Sequence, residues 1–298
     1  MAEMETTTET SNKYLFKFKG FNFQKKLVTP DYLETMEDFE TRDGDVFIIT
    51  YPKSGTLWTQ HILALIHYEG HRNGTENTET RQQIPFFDYN TCNLDFTQWP
   101  SPRMFCAHLP YYLVPKTLRN QKGKIIYVYR NPKDVLVSFF HFSKVLVGLG
   151  ESPDLEHFLE RFLSGNVTAS SWFDHVRGWY MHKDEFNILF LSYEEMIKDL
   201  RTAVLKICNL VGKQLSDQEV DIVVDWATFK NMKADLRANY ESLPEVFLKK
   251  GQGHFLRKGT TGDWKNIMTV AQSERFDKIF QEKMKDLPYK FIWDINEI

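Results

Sequence analysis

The sequence predicts an α/β fold: a single domain with a central parallel sheet flanked by helices. Short apolar, largely β-branched runs recur at Val46–Thr50, Met104–Ala107, Lys124–Tyr129 and residues 187–191, as expected of strands buried on both faces. Between them lie stretches with apolar residues at helical spacing, the alternation from which crossover helices build a parallel, mostly doubly wound sheet. The 298 residues, 42% hydrophobic and 15% aromatic, suffice for one large core.

Residues 45–70, DVFIITYPKSGTLWTQHILALIHYEG, organise the chain. After the first strand Pro52 forbids further central strand, and behind Thr56 a helical stripe begins with Leu57, Ile62, Leu63 and Ile66. In a strand–turn–helix unit the free N–H groups of the first helical turn face outward. With Lys53 beside them they suit a phosphate or sulfate. The Walker order GxxxxGK[ST] is absent because the lysine precedes Gly55, which argues against an ordinary ATPase. A surface turn with a chance lysine is the bland alternative.

The other elements follow in order. Residues 14–26, YLFKFKGFNFQKK, alternate rings with lysines around Gly20 and read as an edge strand or a loop that walls a pocket. Residues 71–103 read as long irregular structure. His108 closes the Met104–Ala107 strand at the sheet edge where ligands bind, either as a base or as a hydrogen-bonded loop residue. Lys124–Tyr129 repeats the opening design: Arg130 leaves the strand, Pro132 starts a helix, and Ser138 lies about two turns in. Arg130 fits either an anion or a salt bridge. Trp172, Val176 and Trp179 form a helical core stripe, and Leu200–Val211 and Asp217–Trp226 read as scaffold helices. Residues 249–265, KKGQGHFLRKGTTGDWK, form a glycine-rich basic loop that presents Arg257 and Lys258 to an anion or to solvent.

Composition narrows the class. A net charge of −3 without a block of five like charges gives no nucleic-acid-binding surface. Three cysteines without CxxC spacing argue against a disulfide framework and a zinc site and fit a reducing compartment. Residues 1–13 are Thr-rich and acidic, without an apolar core, and read as a disordered tail ahead of one domain at 14–298. No apolar stretch approaches the roughly twenty residues of a spanning helix, so no membrane partner and a cytoplasmic location are expected. No GxGxxG follows a strand, which argues against dinucleotide cofactors.

YPKSGTLW at 51–58, YRNPKDVLVSFFHF at 129–142 and RKGTTGDWKN at 257–266 resemble the three signature regions of the cytosolic sulfotransferases, and the likeness extends from about residue 14 to the C-terminus. Within that family the chain is most similar to the amine sulfotransferases. The resemblance implies the P-loop NTPase-like sulfotransferase fold and transfer of a sulfuryl group from 3′-phosphoadenylyl sulfate (PAPS) to an amine or hydroxyl, without a metal. By similarity, Lys53, Ser54, Gly55, Thr56, Leu57 and Trp58 hold the 5′-phosphosulfate, with Trp58 also stacking on adenine. Arg130, Ser138, Arg257, Lys258 and Gly259 hold the 3′-phosphate, and Tyr193, Thr228, Phe229 and Met232 line the adenine pocket. His108 is the implied base, Lys53 the cation at the leaving oxygen, and Ser138 a brake on Lys53 before an acceptor binds. Phe86, Phe142, Tyr240 and Phe247 occupy acceptor-pocket positions. Lys265, Thr269, Val270 and Glu274 match a KxxxTVxxxE homodimer motif.

Two departures stand out. Cys106 replaces the lysine of KTHLP, which removes a cation near the sulfuryl group, and Ala227 replaces the serine of TSF. Asp88 and Glu245 are candidates for orienting an amine, although strong ion pairing would hold it as an unreactive ammonium. Two other classes remain: a noncatalytic PAP-binding or PAPS-binding relative (PAP being the desulfated nucleotide), and a nucleotide-dependent kinase, against which the lysine order speaks.

Overall fold

The computed structural model describes residues 13–71, 74–91, 93–288 and 291–297. The expected tail at 1–13, apart from Lys13, and Cys92 lie outside these residues. Strands β1 (Leu15–Phe18) and β2 (Phe21–Gln24) form an antiparallel hairpin separate from the main sheet. The ladder that pairs Leu15 with Gln24 and Phe18 with Phe21 decides for strand over loop, and its rings pack on one another, Phe16 and Phe23 with centroids 5.9 Å apart. The Asn22 side chain pins the hairpin by donating to the Gly165 carbonyl at 2.9 Å.

Among the described residues four strands make the central sheet: β3 (Val46–Thr50), β4 (Met104–Ala107), β5 (Lys124–Tyr129) and β6 (Ile188–Ser192). All are parallel, in the order β4-β3-β5-β6. The last is displaced one residue from the sequence expectation, because Ser192 extends the ladder and then caps a helix, its Oγ accepting from the Glu195 N–H at 3.0 Å.

Side chains alternate between the sheet faces. Phe47, Ile49, Phe105, Ile125 and Tyr127 join a core with the helices Pro132–Val145, Leu155–Leu163 and Trp172–Met181. Val46, Ile48, Met104, Ile126 and Val128 meet the helices Thr56–His67, Leu200–Val211 and Asp217–Trp226. Trp172 and Trp179 are fully buried; truncating either to alanine costs about 3–5 kcal/mol.

The strand order places the site. The chain leaves β3 toward one side of the sheet and β5 toward the other, so a crevice opens between their carboxyl ends. Lys53 follows the first and Arg130 the second.

Candidate active site

The turn after β3 is built for close approach. Lys53 has φ +70° and Gly55 φ +105°, backbone regions that favour glycine. A Cβ on Gly55 would stand 2.9 Å from the Tyr193 ring, so only glycine fits there. The helix then starts at Thr56, and its first N–H groups carry the positive end of the helix dipole. Ser54 is fully buried and its Oγ has no partner among the described residues. Lys53 Nζ stands 3.7 Å above the Phe142 ring. Burial foremost, then the Arg130 and Arg257 guanidinium groups, lower its ammonium to about 7.

Arg130 is buried and donates to the Lys53 carbonyl at 3.0 Å and the Thr260 carbonyl at 2.9 Å, joining the turn to the basic loop. Its Nε has no partner, nor has that of Arg257. Arg257 and Lys258 pair with Asp263 at 2.7 Å and 2.6 Å. Burial pushes the Asp263 carboxyl upward, but hydrogen bonds from Lys258 and Arg257 outweigh it and hold the group down to about 2. Asp134 fastens the loop by accepting from the Gly262 and Trp264 N–H groups at 2.7 Å and 3.0 Å. Gly259 has φ +64°, and any Cβ there would overlap the Phe229 ring.

Lys53, Gly55, Arg130, Arg257, Lys258 and Gly259 line one cavity of about 940 Å³, which also takes in His108, Ser138 and Tyr193, whereas Ser54, Asp134 and Asp263 lie off its wall. Lys53, Arg81, Arg130, Arg257 and Lys258 border it, and among the described residues no lining residue is acidic. Paired cations, a helix N-terminus and unpartnered buried donors fit a nucleotide bearing two anionic groups.

His108 sits on the same wall, its ring 5.2 Å from Phe86. Nδ1 lies 2.8 Å from the Thr50 carbonyl oxygen, which can only accept, so Nδ1 carries the hydrogen and Nε2 keeps its lone pair. Burial foremost, with Lys53 adding to it against the Thr50 hydrogen bond, draws His108 down to about 4, so the ring is neutral near pH 7.

Phe86, Phe142, Tyr240 and Phe247 line the cavity, joined by Tyr89, Phe255 and, from the hairpin side, Gln24 and Leu27. The Tyr240 hydroxyl donates to Gln60 at 2.7 Å. Leu57, Trp58, Phe229 and Met232 line it as well, whereas Thr228 is off the wall and caps the helix Phe229–Ala234. Cys106, expected beside the sulfuryl group, is buried behind the wall with Sγ 3.4 Å from the Gln60 amide nitrogen. It belongs to β4, two residues before His108, which lies just past the strand end. Neither candidate for orienting an amine reaches the cavity: Asp88 accepts from the His108 backbone N–H at 2.8 Å, and Glu245 is exposed beside Lys250. Lys265, Thr269, Val270 and Glu274 form a separate exposed surface.

Residues 43–288 match the family model described as the sulfotransferase domain. The chain belongs to the sulfotransferase family. This sulfotransferase is 59% identical over 291 residues to the amine sulfotransferase of Oryctolagus cuniculus, covering 97% of each chain. It is 41% identical over 280 residues to the 3-beta-hydroxysteroid sulfotransferase of Cavia porcellus, covering 93% of this chain and 97% of that one. Among solved structures it resembles mouse sulfotransferase SULT7A1 complexed with PAP, with a TM-score of 0.77, 30% identity, and 92% and 95% of the two chains covered. Retinol dehydratase in a complex with retinol and PAP shares the fold, with a TM-score of 0.83 at 24% identity and coverage of 98% and 97%.

Several residues that shape this site carry little signal in the sequence. Thr50 reads as the end of a strand, and Asp134 lies in the first turn of the helix after Arg130. The one signal for Asp263 was its place in RKGTTGD, an acid just after two cations.

Proposed function

We propose that the enzyme transfers the sulfuryl group of PAPS to an amine or hydroxyl of a small lipophilic acceptor, with His108 as general base. The observation that carries this reading is one cavity that is cationic around Lys53, Arg130 and Arg257 and ring-lined elsewhere, with a neutral His108 on its wall. The turn from Lys53 to Trp58 holds the 5′-phosphosulfate. Arg130, Ser138, Arg257, Lys258 and Gly259 hold the 3′-phosphate, while Trp58, Tyr193, Phe229 and Met232 enclose the adenine. The bound nucleotide supplies the sulfuryl group. Lys53 neutralises charge at the leaving oxygen, and Nε2 of His108 takes the acceptor proton.

The rabbit relative's name supports nitrogen acceptors, and the guinea-pig relative's supports hydroxyls. The ring-lined wall, with no carboxylate among its described residues, favours an acceptor that arrives uncharged. Retention of both Lys53 and His108 speaks against a noncatalytic nucleotide-binding relative, and the lysine order speaks against a kinase. The enzyme is placed in the cytoplasm; among the described residues no helix is long and apolar enough to cross a membrane. We also propose one domain over 14–298 and a homodimer through Lys265, Thr269, Val270 and Glu274, of which Val270 is 74% exposed.

The test is PAPS-dependent sulfation of a panel of amines, phenols and alcohols, with His108→Ala alongside. Turnover by the wild type and a loss of roughly a hundredfold or more in the variant is the expected result. PAP binding without turnover of any acceptor would leave the noncatalytic reading standing.

A further inference from the structure

His175 belongs to the tryptophan stripe that the sequence marks as core, and the helix Trp172–Met181 does bury it. A packing residue needs no particular polar partner, yet both of its nitrogens are engaged. Nε2 lies 3.2 Å from the backbone carbonyl of His108 and Nδ1 lies 2.9 Å from the Tyr127 hydroxyl. The carbonyl accepts only, so Nε2 carries the hydrogen and Nδ1 takes the proton of Tyr127. One turn on, Trp179 Nε1 donates to the Leu109 carbonyl at 3.0 Å. Two side chains four residues apart on one helix face thus reach successive carbonyls of the segment that carries the base.

The other side of that segment is held too. Asp88 is buried and accepts the His108 N–H at 2.8 Å, and the Thr50 carbonyl fixes Nδ1 of the ring. His175 also makes an edge contact at 5.7 Å with Tyr51, the first residue of the anion-binding turn. One buried imidazole therefore touches both halves of the site, the strand end that presents the base and the turn that presents Lys53.

We infer that His175 is a positioning residue for transfer: its Nε2–H fixes the His108 peptide, and with it the line of approach of the base to the acceptor. This rests on the reading of His108 as the base. Burial foremost, then His108, draws the His175 ring down to about 3, so it stays the neutral donor this role requires throughout the working range.

Replacing His175 separates positioning from packing. Glutamine carries an amide nitrogen to about the place of Nε2, asparagine reaches only that of Nδ1, and leucine keeps bulk without either. The expected result is a kcat lowered roughly tenfold to a hundredfold in His175→Asn and His175→Leu, with the KM for PAPS and the PAP Kd within about twofold of wild type. His175→Gln recovers most of the rate. Should the leucine variant fail to fold, the glutamine and asparagine pair decides. Equal kcat in those two overturns the inference, as does a joint fall of kcat, PAP affinity and Tm in all variants, which marks a packing role. His108→Ala, run in parallel, distinguishes the levels. If it is inactive while every His175 variant turns over normally, only the positioning role fails; if it stays active, the base assignment fails as well.

Discussion

Nδ1 of His108 stands 2.8 Å from the carbonyl oxygen of Thr50, the last residue of the strand next to its own. That contact fixes the tautomer and leaves Nε2 as the basic nitrogen. His108→Ala should lower kcat roughly a hundred- to ten-thousandfold while PAP still binds. A base works when deprotonated, so the rate should rise as pH is raised through the His108 pKa. The free ring titrates at about 4, and a bound anion moves it back toward the reference of about 6.5, so the acid limb should fall between those values. A limb centred above pH 7 would contradict the assignment.

Lys53 offers a calorimetric signature. Its ammonium is lowered to about 7 in the ligand-free protein, so at pH 8 much of it is neutral. An anion in the turn favours the charged form, so PAP binding at pH 8 should draw a proton from solution. Titrations in buffers of different ionisation enthalpy measure this uptake directly. Lys53→Arg, permanently charged, should bind PAP without it.

Gly259 tests the basic loop. Alanine there meets the Phe229 ring and a φ of +64°, a backbone cost of about 1–2 kcal/mol before any clash. The variant should lose PAP affinity well before it loses its fold. Unchanged affinity by calorimetry would mean that the loop does not hold the nucleotide.

Ser138 shares the cavity with Lys53. If its hydroxyl restrains that lysine until an acceptor arrives, Ser138→Ala should raise acceptor-independent PAPS hydrolysis more than transfer. Unchanged rates for both reactions in a labelled-sulfate assay would remove Ser138 from the scheme.

Val270 is 74% exposed at the start of the helix Val270–Met284, beside Thr269, which caps that helix. Val270→Glu should shift the protein to a monomer in sedimentation equilibrium while its folded spectrum persists. A wild-type dimer that is indifferent to this charge uses another surface.

Local pattern carried most of the fold. The Val46–Thr50 and Lys124–Tyr129 strands and the helix after each were legible because a short continuous apolar run and a hydrophobic period of 3.6 are short-range signals, and Pro52, Gly55 and Pro132 punctuate them. Lys53, Arg130, Arg257 and Lys258, which border the cavity, stand out in their motifs. Cys106 was misplaced because sequence proximity to His108 does not say which side of a strand end faces a cavity, and Asp88 and Glu245 because a carboxylate's partner is a matter of space.

By itself the sequence determined the sheet, its flanking helices, the turn at Lys53 and the basic loop, since each rests on residue types at fixed local spacing. Only the tertiary structure decided how they meet. Arg130 donates to Lys53 across 77 positions, Arg257 and Lys258 lean on Asp263, and His175 holds a carbonyl 67 positions away. A hydrogen bond between remote segments costs no hydrophobic period and leaves no compositional trace, so a buried histidine among tryptophans reads as core until the fold sets the strand end at His108 beside it.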